Sequence, residues 1–295
     1  MENTATTNKE TEKLKSESQL LAILKRLSYN RMAMVGLVIL TLIILMAIFA
    51  PWIMPYDYSA MDPANAFQNP SWEHWLGTDS LGRDVLSRII YGSRYSLVLA
   101  FGAVLLSLAG GVIIGAIAGF FGGAVDQVIM RCTDVIQAVP GTLLNLALVC
   151  VFGNGFGNTI LALGVSGIAS NARLMRSSIL KVRKMEYLDA ASSINCSNFR
   201  IITKHVLPNA FSPMIVSCTM SIGSTILSAS GLSYLGLGVP TGVPEWGAML
   251  SAGRDYIMKY PLLTIIPGCA IVITVLAANL LGDGLRDAMD PRLKK

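Results

Sequence analysis

Charge is scarce in this chain. Asp, Glu, Lys and Arg make up 14% of its 295 residues, whereas a soluble domain carries about 25%. With 53% hydrophobic residues and a mean hydropathy of +0.57, the composition excludes an ordinary soluble domain and implies a polytopic membrane protein. Histidine is scarcer still, with two residues. The five cysteines, at 132, 150, 196, 218 and 269, have no paired spacing and fall mostly in apolar runs, so they read as small hydrophobes rather than disulfides or metal ligands. His74 has no second histidine nearby and sits between tryptophans, which gives no metal site.

Catalytic motifs are missing too. There is no HExxH, and two histidines leave no plausible Ser-His-Asp set. The run from Gly77 to Asp84 (GTDSLGRD) lacks the Lys-Ser/Thr ending of a phosphate loop, and the glycine-rich turn at 153–158 (GNGFGN) follows no strand, so neither is a nucleotide site. No Asp, Glu, Lys, Arg or His falls near the middle of an apolar run, where ion-coupled carriers and proton pumps place such groups. Enzymes and ion-driven carriers are both disfavoured, and no cofactor or metal is expected on this chain. A passive pathway remains, or one driven by an energy source on another chain.

What is present is a series of apolar spans. Residues 1–31 form a polar tail in which Leu20, Leu21, Leu24 and Leu27 mark one face of a short amphipathic helix. That helix could lie on the membrane surface or pack on the protein. Residues 32–53 carry no charge and make the first span, since about 20 residues cross a bilayer. Residues 54–94 form a long polar loop that turns helical near its end. Residues 95–285 hold five further spans: about 95–120; a third that follows the boundary charges of Asp126 to Asp134 and continues to about 152 with a kink expected at Pro140; 159–172, short by itself and continuing as a helix toward Arg176 and Leu180; 210–230; and 262–281. Residues 286–295 are a short tail. The expectation is an all-α membrane protein of six transmembrane helices.

The net charge of +5 could suggest nucleic acid, but its distribution gives another cause. Eighteen of the 23 Lys and Arg lie in the two tails, the loop after span two and the loop between spans four and five; five lie in the first and last loops. This is a positive-inside bias. It places both termini in the cytoplasm and the first and last loops outside, and no nucleic acid is needed.

One polar stretch interrupts the apolar second half: Glu186 to Pro208, EYLDAASSINCSNFRIITKHVLP. Its first part reads as a short helix, Asn195 as a turn residue, and Ser197 or Asn198 as the cap of a second helix. Asp189 beside Ala190 and Ala191 combines a carboxylate with two small residues, which suits close docking on a cationic partner surface. An ordinary helix packed on its own protein has the same pattern.

These residues carry a family resemblance. Asp189-Ala-Ala, Asn195 and the closing Leu207-Pro208 resemble the EAA loop of ATP-binding cassette (ABC) importer permeases. HWLGTDSLGRDVLSRIIYGSRYSL, MRCTDVIQAVP, YLGLGVPTGVPEWGAML and NLLGDGLRDAMDPR, in that order, resemble the C-type membrane subunit of dipeptide/oligopeptide permeases. Asp189 stands where Glu is usual and Asn195 where Gly is usual; Asp keeps the charge, and Asn tolerates positive φ best among non-glycine residues. The resemblance implies a type I ABC importer permease fold in a bacterial cell membrane. It also implies a second permease subunit, two ATPase subunits that bind the ATP, and an extracytoplasmic binding protein that delivers peptides. Nickel, glutathione or another small solute is the alternative cargo. On this resemblance Glu186, Asp189, Ala190, Ala191, Asn195, Leu207 and Pro208 form a cytoplasmic coupling element seated on an ATPase. In the outer loops Trp75, Asp79, Arg83, Asp84 and Trp246 would contact the binding protein or, alternatively, cap the helix bundle.

Overall fold

The computed structural model describes residues 19–188 and 196–289. Helix α1 (Gln19–Tyr29) ends at Asn30, whose side chain accepts from the Ala33 N–H at 3.2 Å and so starts α2 (Arg31–Ile53). Leu27 is buried against Ala33 and Ala288 while Leu24 is exposed, so α1 packs on the protein through its last turns. Because Ala288 lies at the far end of the chain, the two ends of the described protein meet at one end of the bundle. The Arg26 Nη1 donates to the Ala288 carbonyl there at 3.4 Å.

Helix α3 (Val85–Phe121) is 37 residues long. At about 1.5 Å per residue it outruns a hydrocarbon core of about 30 Å. The helical turn expected late in the first loop begins at Val85 and continues unbroken into the second span, because the Asp84 carboxylate caps it by accepting from the Ser87 N–H and hydroxyl, both at 2.7 Å. Gly122 and Gly123 take positive φ (68° and 54°), so α3 turns directly into α4 (Gly123–Ala138). The kink expected at Pro140 is a full break: α4 and α5 (Gly141–Phe152) meet at 92°. Proline has no N–H to continue the ladder and forces its predecessor extended, and Val139 has ψ 128°.

Helix α6 (Phe156–Val182) returns along α3. Gly111, Gly115 and Gly119 present a bare stripe to Asn171, Ala172, Met175 and Ile179, and the two backbones meet closely for want of side chains. Helix α7 (Ser212–Tyr234), the short α8 (Trp246–Gly253) and α9 (Leu262–Met289) complete the bundle. The largest apolar core joins α2, α3, α7, α8 and α9 around Ile226 and Trp246. Among the described residues, α2, α3, α7 and α9 are long and apolar enough to cross a membrane, and α4–α5 makes a fifth span if the bent pair is one. Helix α6 is long enough, but its Ser166, Ser170, Asn171, Arg173 and Arg176 keep it outside that apolar set.

Candidate functional site

At the end of the bundle where the termini meet, only part of the 186–208 element is described. Asp189, Ala190, Ala191 and Asn195 lie outside the described residues. Glu186 and Tyr187 are exposed, and Leu188 is buried with Val182, Ile201 and Val206, so this segment is anchored by one leucine with its polar side outward. Past the gap, Ser197 caps the turn Asn198–Ile201 through its hydroxyl, which accepts from the Arg200 N–H at 3.4 Å. A π-helical turn, Ile202–Val206, leads to Leu207–Ala210. The widened turn leaves room for Pro208, which crowds the carbonyl four residues back. Asn209 ties the element together by donating to the His205 carbonyl at 2.7 Å and the Tyr187 hydroxyl at 3.2 Å.

At the opposite end the polar loop is held by its own charges. The Asp79 carboxylate accepts from the Leu81 and Arg83 N–H groups (2.9 and 3.0 Å) and from Arg83 Nε (2.7 Å). Asp84, besides capping α3, meets His74 Nδ1 at 2.9 Å. Arg83, Asp84 and Trp246 are buried, Trp246 to 1% exposure with its indole N–H donating to the Ile89 carbonyl at 3.0 Å. These three offer no surface to a docking protein. Their burial fits the capping alternative. Asp79 is spent on the loop's own N–H groups. Trp75, 67% exposed, and its neighbour Trp72, 97% exposed, do face outward. Glu245 is buried beside Trp246; its carboxylate accepts from the Gly247 and Ala248 N–H groups (2.8 and 2.7 Å) and from the Ser96 and Ser233 hydroxyls (3.4 and 3.3 Å). Burial raises its pKa above the ordinary carboxylate value, against the pull of those four donors.

Between the two ends, at mid-length of α3, α5, α6 and α7, lies a cavity of about 240 Å³ whose lining residues include no charged side chain. Ser107 comes from α3, Asn145 from α5, Ser166 and Asn171 from α6, and Ser221 and Ser224 from α7. Ser217 also lines a second cavity of about 560 Å³ between α6, α7 and α9 at the end where the termini meet, where Lys181 and Arg286 stand. The sequence-derived site residues do not include this lining. Its signal was present, since serines at 217, 221, 224 and 228 recur at helical spacing, but in hydropathy they register only as a dilution of a span.

No described group of three or more His, Cys, Asp or Glu could hold a metal ion. An uncharged polar cavity inside an apolar bundle, sharing Ser217 with a second cavity that reaches basic residues, fits a transport protein. Comparison with known proteins agrees. Residues 111–295 match the model for binding-protein-dependent transport system inner membrane components, and residues 18–70 match the N-terminal transmembrane domain of oligopeptide transport permease C. The chain belongs to this permease family. The dipeptide transport system permease protein DppC of Alkalihalophilus pseudofirmus is 43% identical over 92% of this permease and 89% of its own length. The oligopeptide transport system permease protein OppC of Bacillus subtilis is 42% identical over 92% and 88%. The glutathione transport system permease protein GsiD of Pectobacterium atrosepticum is 44% identical over 88% and 86%. Among solved structures, the MetNI methionine ABC transporter in inward-facing conformations aligns with a TM-score of 0.57 at 14% identity, covering 69% of this permease and 97% of that chain. That likeness establishes the importer-permease fold. The permease is a transport component and not an enzyme.

Proposed function

We propose that this permease forms, with a second permease subunit, the translocation pathway of an ATP-driven importer for peptides delivered by an extracytoplasmic binding protein. The observation that carries the reading is its 42–43% identity, over nine-tenths of its length, to relatives named as dipeptide and oligopeptide transport permeases. The uncharged central cavity supports it, because a metal path would need soft or carboxylate ligands. A second reading, glutathione as cargo, has the GsiD relative in its favour.

In this reading the permease sits in a bacterial cell membrane with six spans: α2, α3, the bent α4–α5 pair, α6, α7 and α9. Helix α6 crosses despite its polarity because its serine and asparagine side lines the cavity rather than lipid. Both termini are cytoplasmic, as the positive-inside bias implies. The 186–208 element lies at the same end as the termini and couples to two ATPase subunits, which bind the ATP. Asp189 pairs with a cation on an ATPase, Ala190 and Ala191 allow close seating, and Asn195, Leu207 and Pro208 set the angle at which the chain enters α7. Nucleotide moves this element only by binding one arrangement of the ATPase pair better than the other. Trp75 is left as the outer-loop residue placed to meet the binding protein.

A mild-detergent pull-down of the tagged permease from its host's membranes, read by mass spectrometry, tests the assembly. Recovery of a second permease, ATPases and a binding protein is expected, and recovery of a homo-oligomer alone would refute it. Asp189→Arg and Ala191→Trp are expected to leave the permease inserted while abolishing ATP-dependent uptake; uptake at the wild-type rate would remove the coupling assignment.

A further inference from the structure

The charges at the loop end do not balance. Where the polar loop meets α3, α8 and the start of α9 lies a small cavity of about 20 Å³. Its charged lining residues are Asp79, Arg83 and Arg88, two cations and one carboxylate; Ser80 adds a hydroxyl, and Met249 and Leu263 are part of the apolar wall. Arg83 is 6% exposed and Arg88 2%, so bulk solvent compensates neither. A guanidinium does not shed its proton. Its charge has to be met where it stands.

Asp79 cannot do this twice. Its Oδ1 accepts from the Leu81 and Arg83 N–H groups, and its Oδ2 accepts from Arg83 Nε at 2.7 Å. Arg88 Nε stands 3.7 Å from that same Oδ2, beyond hydrogen-bond distance. The one hydrogen bond of the Arg88 guanidinium among the described residues runs from Nη1 to the Tyr58 carbonyl, at 3.4 Å. A guanidinium has five N–H donors, so Arg88 brings to the cavity a full charge and donors that lack a protein acceptor. Asp84 is engaged elsewhere, by His74 and Ser87.

Volume and charge together select the occupant. A space of this size admits one water or one monatomic ion and excludes phosphate or any molecule bearing a carboxylate. Water would leave the second guanidinium uncompensated, and a metal cation would be repelled by both. A singly charged anion brings the lining to neutrality and accepts the free donors.

We infer that a halide ion, chloride under ordinary conditions, sits in this cavity between Arg83 and Arg88 and ties the polar loop to α3, α8 and α9. The inference concerns the loop end alone and does not depend on what the permease carries.

The test uses the full-length purified permease in detergent. Sodium gluconate is exchanged stepwise for sodium chloride at constant ionic strength while the melting temperature is followed. The wild type is expected to rise by about 2–4 °C and then saturate, as binding to the folded state alone requires, and sodium bromide should reproduce the rise. Arg88→Met removes a charge at similar volume, and Ala252→Val narrows the cavity while keeping both guanidiniums; each is expected to abolish the response. A wild type without a saturating rise, or either variant responding as the wild type does, overturns the halide site. If Arg88→Met does not fold, Ala252→Val and anomalous scattering from wild-type crystals grown in bromide decide: a bromide peak between the two arginines supports the site, and its absence there overturns it.

Discussion

Glu245 places a carboxylate where burial disfavours charge and four donors favour it. It opens α8 by accepting from two N–H groups, and it reaches Ser96 on α3 and Ser233 on α7. One side chain thereby fixes three helices. Replacing it with glutamine turns an amide NH2 toward backbone donors, so Glu245→Gln is expected to cost about 1–3 kcal/mol, read as a lower melting temperature of the purified permease. The pH dependence has a definite sign. Burial raises the folded-state pKa above the ordinary 4.5, so the native state holds the proton more tightly than the unfolded chain. The resulting stabilisation is full below 4.5 and is lost as pH rises through the raised value. The margin of wild type over Glu245→Gln should therefore be widest in acid and narrow toward neutrality; a constant margin would show that titration of Glu245 does not contribute.

At the level of elements, α6 is held against α3 and α4 by contacts that differ in kind. Against α3 the fit is steric. A Cβ built on Gly115 would lie 2.4 Å from the Ala172 carbonyl oxygen and 2.7 Å from Met175 Cβ, so Gly115→Leu must force the helices apart. Overpacking of this sort costs about 1–3 kcal/mol or more. Gly141→Ala meets nothing within 4 Å and is expected to change stability by less than about 0.5 kcal/mol; thermal melting of the two variants side by side checks both. Against α4 the contact is ionic: Arg176 Nε and Nη2 hold both oxygens of Asp126. The pair is partly exposed, so its net worth is about 1 kcal/mol. Asp126→Asn should lower the melting temperature modestly. The exchange Asp126→Arg with Arg176→Asp should recover most of the loss, as a double-mutant cycle would record.

Taken whole, the described molecule has a neutral cavity between two polar ends of unlike construction. The loop end is tied into a self-satisfied network, with Asp79, Arg83, Asp84 and His74 bonded to one another or to the backbone. The end where the termini meet carries the π-helical turn at Ile202–Val206 and an exposed polar segment at Glu186 and Tyr187. A bonded end opposite an exposed one suits the transmission of motion from ATPase subunits proposed above. For this reason uptake, rather than stability, is the expected casualty of the Asp189→Arg change proposed above.

The sequence by itself determined the class of protein, the positions of its apolar spans and its family. Composition and hydropathy act residue by residue, and the motifs stand in a recognisable order. The end of the third span at Phe152 and a bend at Pro140 were also legible, because proline's missing N–H is a local fact; its start was not, since α4 already begins at Gly123. Tertiary structure decided the rest. Trp246 and Asp84 look like surface recognition residues in a polar loop, yet packing buries them, since α8 folds back between α3 and α7. That α6 continues past its short apolar run toward Arg176 was legible, and it ends at Val182; that its polar side lines a cavity was not, because that depends on the helices opposite it. The polar lining exists only where four helices converge: each serine is ordinary on its own helix, and its role depends on what the neighbouring helices place opposite it.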